Sequence, residues 1–226
     1  MTPDPGSGIH NPEPSSEPGS ESGSAFVSRG GDKLDAALAS LAVRVDGVFA
    51  LDAGASTGGF TDCLLRRGAA HVVAVDVAYG QFAWRLRNDE RVTVLERTNI
   101  RTLPAGSLKP PPTLVVADLA FISLRTVRDA LLGVAAPGAD LVLMVKPQFE
   151  LPRDPRGGGV VRDPAAWREA MQMVAGAYRA AGCGLAGATA SPLTGPKGNR
   201  EFFLHLRRGG PDGPDTLMDE AVEAAP

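Results

Sequence analysis

Four charged residues in this 226-residue chain stand where solubility gives little reason for them. Lys33 follows "SRGG" in an amphipathic stretch, and Asp118 ends the apolar run of "VVADLAFIS". Lys146 ends the run of "LMVKPQFE", and Glu201 opens "EFFLHLR". Asp118 and Lys146 both fall at the carboxyl ends of apolar segments that read as strands. In a doubly wound sheet that edge is where ligands sit, so both side chains belong to one crevice. An antiparallel last strand would bring its first residue, Glu201, to the same edge. Singly, Lys33 reads as a solvated helix-face residue and Glu201 as a surface one. As a set of two ammonium and two carboxylate groups, they point to catalysis.

A second constellation lies in "FALDAGASTGGFTDCLL", residues 49–65, a strand that runs through a small-residue turn into a helix. The turn holds Gly54, Ser56, Thr57, Gly58 and Gly59. A dinucleotide site would show G-x-G-x-x-G, whose second glycine lets a pyrophosphate approach the backbone. Here the chain reads G-A-S-T-G-G, with Ser56 in that place, which argues against NAD. The GK[ST] ending of a nucleoside-triphosphate loop is also missing. Asp52 just before the turn and Asp76 at the end of "VVAVD" suit a cofactor with a ribose and an ammonium group but no phosphate. S-adenosylmethionine meets that description. Asp76 would take the ribose hydroxyls, and the backbone of the turn would line the methionine part. Asn99 in "ERTNIR" would hydrogen-bond the adenine edge, although a loop asparagine is often only a turn residue.

The elements that must position these residues alternate between strand and helix. Leu34, Leu38, Leu41 and Val45 recur at four, three and four, so "GDKLDAALASLAVRV" is expected to be one amphipathic helix. "VFALDAG", "HVVAVDV", "RVTVLE", "PTLVVADL" and "ADLVLMV" read as five strands with continuous apolar runs, covered on both faces as in a mostly parallel sheet. "GGFTDCLLRRG", "GQFAWRLRND" and "SLRTVRDALLGV" read as helices between them, the last with Ser123 as N-cap. "DPAAWREAMQMVAGAYRAAG" is a helix capped by Asp163, with Pro164 in its first turn and Gly182 past its end. "GLAGATAS" and "EFFLHLR" are joined by a link too short for a crossover helix, so the final strand should run antiparallel. Seven strands ending this way predict the Rossmann-like α/β fold of S-adenosylmethionine-dependent methyltransferases.

Bulk properties bound the reading. The chain is long enough for one sizeable domain. No apolar run approaches the roughly 18 residues of a membrane span, and the N-terminus has no signal-peptide pattern. Cys63 and Cys183 read as ordinary thiols of a reduced cytoplasm, and three scattered histidines make a metal site unexpected. The net charge of −3 hides a segregation. Residues 1–24 carry four acids and no base, and residues 209–226 five acids and no base. Both are expected to be acidic tails outside a body over 26–208, although "DTLMDEAVEAA" in the second could form a short helix. That body holds 17 acids against 23 bases, which fits an anionic partner such as RNA or only an arginine-rich genome. Arg66, Arg67, Arg125 and Arg128 are candidate phosphate contacts, and "RDPRGGGVVRD" (153–163) reads as either a lid or a loose connection.

Lys33, Asp118, Lys146 and Glu201 match the order and placement of the Lys-Asp-Lys-Glu tetrad of FtsJ-like RNA ribose 2′-O-methyltransferases. "VSRGGDKL", "LDAGASTGGFTDCLL", "VVADLAFISL", "VKPQFE" and "SPLTGPKGNREFFLHLR" resemble more closely the signatures of the TlyA group of that superfamily, sometimes labelled haemolysins. The likeness covers about 26–208. It implies in-line transfer of a methyl group from S-adenosylmethionine to a cytidine ribose of ribosomal RNA, in the cytoplasm. Lys146 would take the 2′-hydroxyl proton or orient the hydroxyl, and both readings stay open at the level of sequence. Asp118 and Glu201 would position the lysines, and Lys33 would steady the ribose or a phosphate. Members of that group begin with a small RNA-binding domain, whereas here the acidic 1–24 stands in its place. A free nucleoside or other small hydroxyl substrate is therefore a rival expectation. A non-enzymatic binder or pore-former is poorly matched to an intact tetrad.

Overall fold

The computed structural model describes residues 24–152, 159–195 and 197–225. Seven strands form one sheet: β1 (Phe49–Ala53), β2 (His71–Val75), β3 (Val92–Leu95), β4 (Leu114–Ala117), β5 (Asp140–Val145), β6 (Cys183–Ala190) and β7 (Phe202–Arg208). Their order is β3-β2-β1-β4-β5-β7-β6. The first five are parallel, and β7 lies antiparallel between β5 and β6. This is the expected α/β layout, and the chain reverses its winding between β1 and β4.

Side-chain alternation along the strands divides the interior into two layers. Leu51, Val73, Val115, Leu141 and Leu143 point to one face, under α4 (Leu124–Val134), α6 (Pro164–Arg179) and α7 (Thr216–Glu223). Ala50, Val72, Leu114, Val116 and Val142 point to the other, under α1 (Arg29–Ser40), α2 (Gly59–Arg66) and the single turn α3 (Trp84–Arg87). Both faces are dry, which is why the strands read as unbroken apolar runs rather than alternating ones. A further single turn, α5 (Pro147–Glu150), follows β5 directly.

Three elements depart from the sequence expectation. The first helix stops at Ser40 and does not reach Val45. Ala42 turns left-handed (φ 51°) and the chain folds back, with the Val43 N–H on the Leu38 carbonyl at 3.0 Å. Val43 and Val45 are buried on the return path, so the apolar spacing was right about burial but not about the helix. "GQFAWRLRND" yields only α3, because Phe82 and Leu86 pack beneath Gly58 and the Ala83 N–H is held by the Thr57 carbonyl at 3.1 Å. The acidic segment after Arg208 packs onto the body through α7, which buries Met218 and Ala221. Its acids answer the arginines of α6. Arg179 pairs with Asp212 and Asp215 at 2.8 and 2.7 Å, and Arg168 pairs with Asp219.

Helix α6 has the expected ends, with Asp163 Oδ1 accepting the Ala165 N–H at 3.0 Å and Gly182 left-handed beyond it. Most of the segment read as a lid, 153–158, lies outside the described residues. Among the described residues no helix is long and apolar enough to cross a membrane.

Candidate active site

The glycine turn sits at the switch point between β1 and β4, where open α/β sheets place their ligands. Its shape depends on a close approach. Gly54 is left-handed (φ 88°), and a Cβ there would lie 2.3 Å from the Asp118 carbonyl oxygen. Gly59 does the same for α1, since a Cβ there would lie 2.3 Å from Ser28 Oγ. These two glycines let the turn, the Asp118 loop and the first turn of α1 meet. The crevice between them is lined by Ser28, Gly30, Lys33, Gly54, Ala55, Ser56, Thr57, Gly59, Phe60 and Asp118. Lys33, Asp118 and four of the proposed cofactor-turn residues thus share one wall.

The tetrad residues meet as two ion pairs. Asp118 directly follows β4, Lys146 directly follows β5, and Glu201 directly precedes β7. Because Val145 is paired with Phe202 across the antiparallel ladder, Lys146 and Glu201 emerge side by side at the same edge. Lys33 Nζ donates to Glu201 Oε2 at 2.6 Å, and both groups are buried. The room for Glu201 comes from Gly195, where a Cβ would stand 2.6 Å from Oε1. Lys146 Nζ meets Asp118 Oδ1 at 2.5 Å. That contact is off the hydrogen-bond direction, so Oδ1, though buried, accepts no hydrogen bond among the described residues.

Asp52 lies beneath the turn rather than on its surface. It is fully buried on the α2 side of β1, and its Oδ2 accepts the Thr61 hydroxyl at 2.7 Å. Its Oδ1 is buried without a donor among the described residues. Burial pushes its carboxyl up to about 7, the Thr61 hydroxyl pulls against this, and the nearby charges of Asp118 and Asp76 add to the rise. Asp76 directly follows β2 with its carboxylate braced on backbone: Oδ2 accepts the Ser56 N–H and Oδ1 the Ala78 N–H, each at 2.7 Å. Ser56, left-handed at φ 48°, is exposed above it. Each Asp76 oxygen keeps a second lone pair, enough for the hydroxyls of a ribose. Asn99 is farther along, capping the turn Ile100–Thr102, with Oδ1 on the Arg101 N–H at 3.0 Å. Its carbonyl is spent on its own backbone, which leaves only its amide hydrogens to offer an adenine.

This donor and acceptor set suits a ribose-bearing cofactor without phosphate at the turn. Asp76 keeps lone pairs open beside a glycine turn that carries no lysine or arginine, and Asp118 lines the same crevice. At the turn itself a phosphate would meet no side-chain cation, whereas the hydroxyls of a ribose would find the open lone pairs of Asp76.

Other residues fall differently from expectation. The four candidate phosphate arginines are engaged by carboxylates: Arg66 by Asp62, Arg67 by Asp35, Arg125 by Glu150 and Arg128 by Asp129. Phe121, three residues past Asp118, is 86% exposed with a left-handed backbone (φ 64°). Its ring stands 5.3 Å from that of Phe149, three residues past Lys146. Sequence reasoning passed over Phe121 because a phenylalanine in "LAFIS" looks like core. Only its place beyond a strand-ending acid could have marked it.

The model for the FtsJ-like methyltransferase family matches residues 26–208. A 16S/23S rRNA (cytidine-2′-O)-methyltransferase TlyA of Mycobacterium tuberculosis is 55% identical over 201 residues, covering 88% of this chain and 72% of the relative. A solved structure of a protein from Streptococcus thermophilus, described as a hemolysin, superposes with a TM-score of 0.85 at 36% identity, over 90% of this chain and 75% of that one. An S-adenosylmethionine-dependent methyltransferase of Mesorhizobium loti, at 17% identity and a TM-score of 0.55, covers 76% of this chain and 96% of its own, and shares the fold. With the tetrad paired at one sheet edge beside the glycine turn, the chain belongs to the FtsJ-like family of S-adenosylmethionine-dependent methyltransferases.

Proposed function

We propose that this protein methylates the ribose 2′-hydroxyl of a cytidine in ribosomal RNA, with a ribosomal subunit as its substrate, in the cytoplasm. The observation that carries the reading is the Lys146–Asp118 contact, held beside the cofactor turn whose crevice Asp118 lines. The relative from M. tuberculosis, named for that reaction, supports the choice of nucleotide.

When bound, S-adenosylmethionine supplies an electrophilic methyl group on sulfur. Asp76 holds the ribose of the cofactor through its remaining lone pairs, and the Gly54–Gly59 backbone lines the methionine portion. Lys146 Nζ orients the substrate hydroxyl. The hydroxyl proton passes to the Lys146–Asp118 pair, whose two groups are held in direct contact. Lys33, pinned by Glu201, places a second ammonium group on the same wall to steady the ribose or its phosphate. Because both ammonium groups are already fixed by carboxylates, little reorganisation is left for the reaction itself.

The test is transfer of labelled methyl from S-adenosylmethionine to small and large ribosomal subunits, total RNA and free nucleosides, run beside Lys146→Ala. Label should enter ribosomal RNA and release as 2′-O-methylcytidine on digestion. Label confined to free nucleosides, or found on a base rather than a ribose, would overturn the reading.

A further inference from the structure

We propose that Glu150 is a positioning residue that holds the Asp118 loop in register with Lys146. The proposal rests on the methyl-transfer reading above, in which the Lys146–Asp118 contact is the working pair. Glu150 closes the helical turn α5, which begins immediately after Lys146, and its side chain is only 1% exposed. That carboxylate is used entirely on the other catalytic loop. Oε1 accepts the Leu124 N–H at 2.7 Å, and Oε2 accepts the Ser123 hydroxyl at 2.5 Å and Arg125 Nε at 3.3 Å. The Glu150 carbonyl takes Arg125 Nη2 at 2.7 Å. Ser123 and Leu124 open α4, at the far end of the short loop that starts at Asp118.

The result is a closed circuit. The chain runs from Asp118 to Ser123, crosses through Glu150, returns to Lys146 and closes on Asp118 by the ion pair. Packing of Phe121 on Phe149 makes a second tie across the same gap. Two features argue that the circuit fixes geometry rather than merely adding stability. Ser123 already caps α4 through the Arg125 N–H at 3.1 Å, so what Glu150 adds there is a tie from the turn after Lys146 to a further N–H, that of Leu124. A buried charge with its partners is on average no more stabilising than apolar packing of the same volume. In addition, the loop is held in a conformation that costs energy, since Phe121 is left-handed without being glycine. Glu150 and the Lys146–Asp118 pair anchor the two ends of that strained loop. Freed at one end, the loop would relax, and Asp118 would shift relative to Lys146.

The test uses the full chain and two variants, Glu150→Ala and Glu150→Gln, with two independent readouts. The first is kcat and KM for methylation of ribosomal subunits, with cofactor affinity measured by calorimetry. Glu150→Ala should lower kcat by about 10- to 100-fold, as misplacement of a reacting group by an ångström does. KM and cofactor affinity should stay within about twofold, and Glu150→Gln, which keeps an acceptor for the Leu124 N–H, should recover most of the rate. The second readout needs no RNA: NMR of lysine 13Cε resonances, tractable in a chain with four lysines. In Glu150→Ala the Lys146 resonance should move while that of Lys33, held by Glu201, stays. If the wild type proves inactive on ribosomal RNA but Lys146 alone moves, the substrate reading fails and the positioning role stands. An unmoved Lys146 with unchanged kcat overturns the role, as does movement of both lysines together, which would mean general loosening. Should Glu150→Ala fail to fold, Glu150→Gln is read by the same two criteria, with a smaller resonance change and rate loss expected.

Discussion

Replacing Asp52 by asparagine should stabilise this protein at alkaline pH and do little at acid pH. The Asp52 carboxyl is raised from an ordinary 3.8 to about 7, chiefly by complete burial. The native state therefore keeps a proton there that the unfolded chain has already released. Stability gained from that proton is complete below about pH 4 and is lost as pH rises through 7. A tenfold difference in proton affinity is worth about 1.4 kcal/mol and the two states differ by about a thousandfold, so the loss approaches roughly 4 kcal/mol by pH 8, a large share of a typical domain's stability. Asparagine keeps an oxygen for the Thr61 hydroxyl and carries no proton to lose as pH rises. Urea unfolding of both proteins at pH 5, 6, 7 and 8 measures the effect. The wild type should weaken from pH 5 to 7 and level off towards pH 8, and Asp52→Asn should stay comparatively flat and be the more stable by a few kcal/mol at pH 8. Parallel curves for the two proteins, or a variant weaker at every pH, would refute the assignment of a protonated acid beneath the turn.

Three other outcomes follow from single contacts. Gly54→Ala should cost about 2 kcal/mol or more in stability, because its Cβ would stand 2.3 Å from the Asp118 carbonyl oxygen at a left-handed φ, and calorimetry should show weaker S-adenosylmethionine binding. Phe121→Ala should leave cofactor affinity unchanged and lower kcat/KM for RNA roughly tenfold or more, if the exposed ring stacks on a base brought to the crevice; Phe121→Tyr should be close to wild type in the same assay. Met218→Ala, at a fully buried position of α7, should cost about 2–5 kcal/mol in urea unfolding while leaving kcat unchanged, since α7 packs on the face of the sheet opposite α1 and α2.

Much of this was legible in the chain. Strand-ending acids and lysines stand out because apolar runs stop on them, and the parallel sheet then fixes their common edge, so Asp118, Lys146 and Glu201 could be placed together from the sequence alone. Lys33 was harder: at helical spacing it resembles any solvated lysine, and only the approach of α1 across Gly59 brings it to Glu201. Periodicity overran the first helix because burial of Val43 and Val45 is achieved by a reversal at Ala42, which no apolar pattern can distinguish from another helical turn. The acidic C-terminal segment reads as a solvated tail by charge alone. Its acids become structural only when paired with Arg168 and Arg179 on a helix distant in sequence. Asp52 could be seen as an acid before the turn, but its depth depends on which face of β1 it occupies, a matter of register against α2.

In the proposed reaction Lys146 and Asp118 act as one unit at the methyl-accepting hydroxyl. A double-mutant cycle in single-turnover methyl transfer, with Lys146→Ala, Asp118→Ala and the two combined, tests this most directly. Each single change should lower the rate by on the order of 10²-fold, and the combination should be no slower than the worse single variant within a few-fold. Losses that multiply, or a single variant that keeps the wild-type rate, would contradict it.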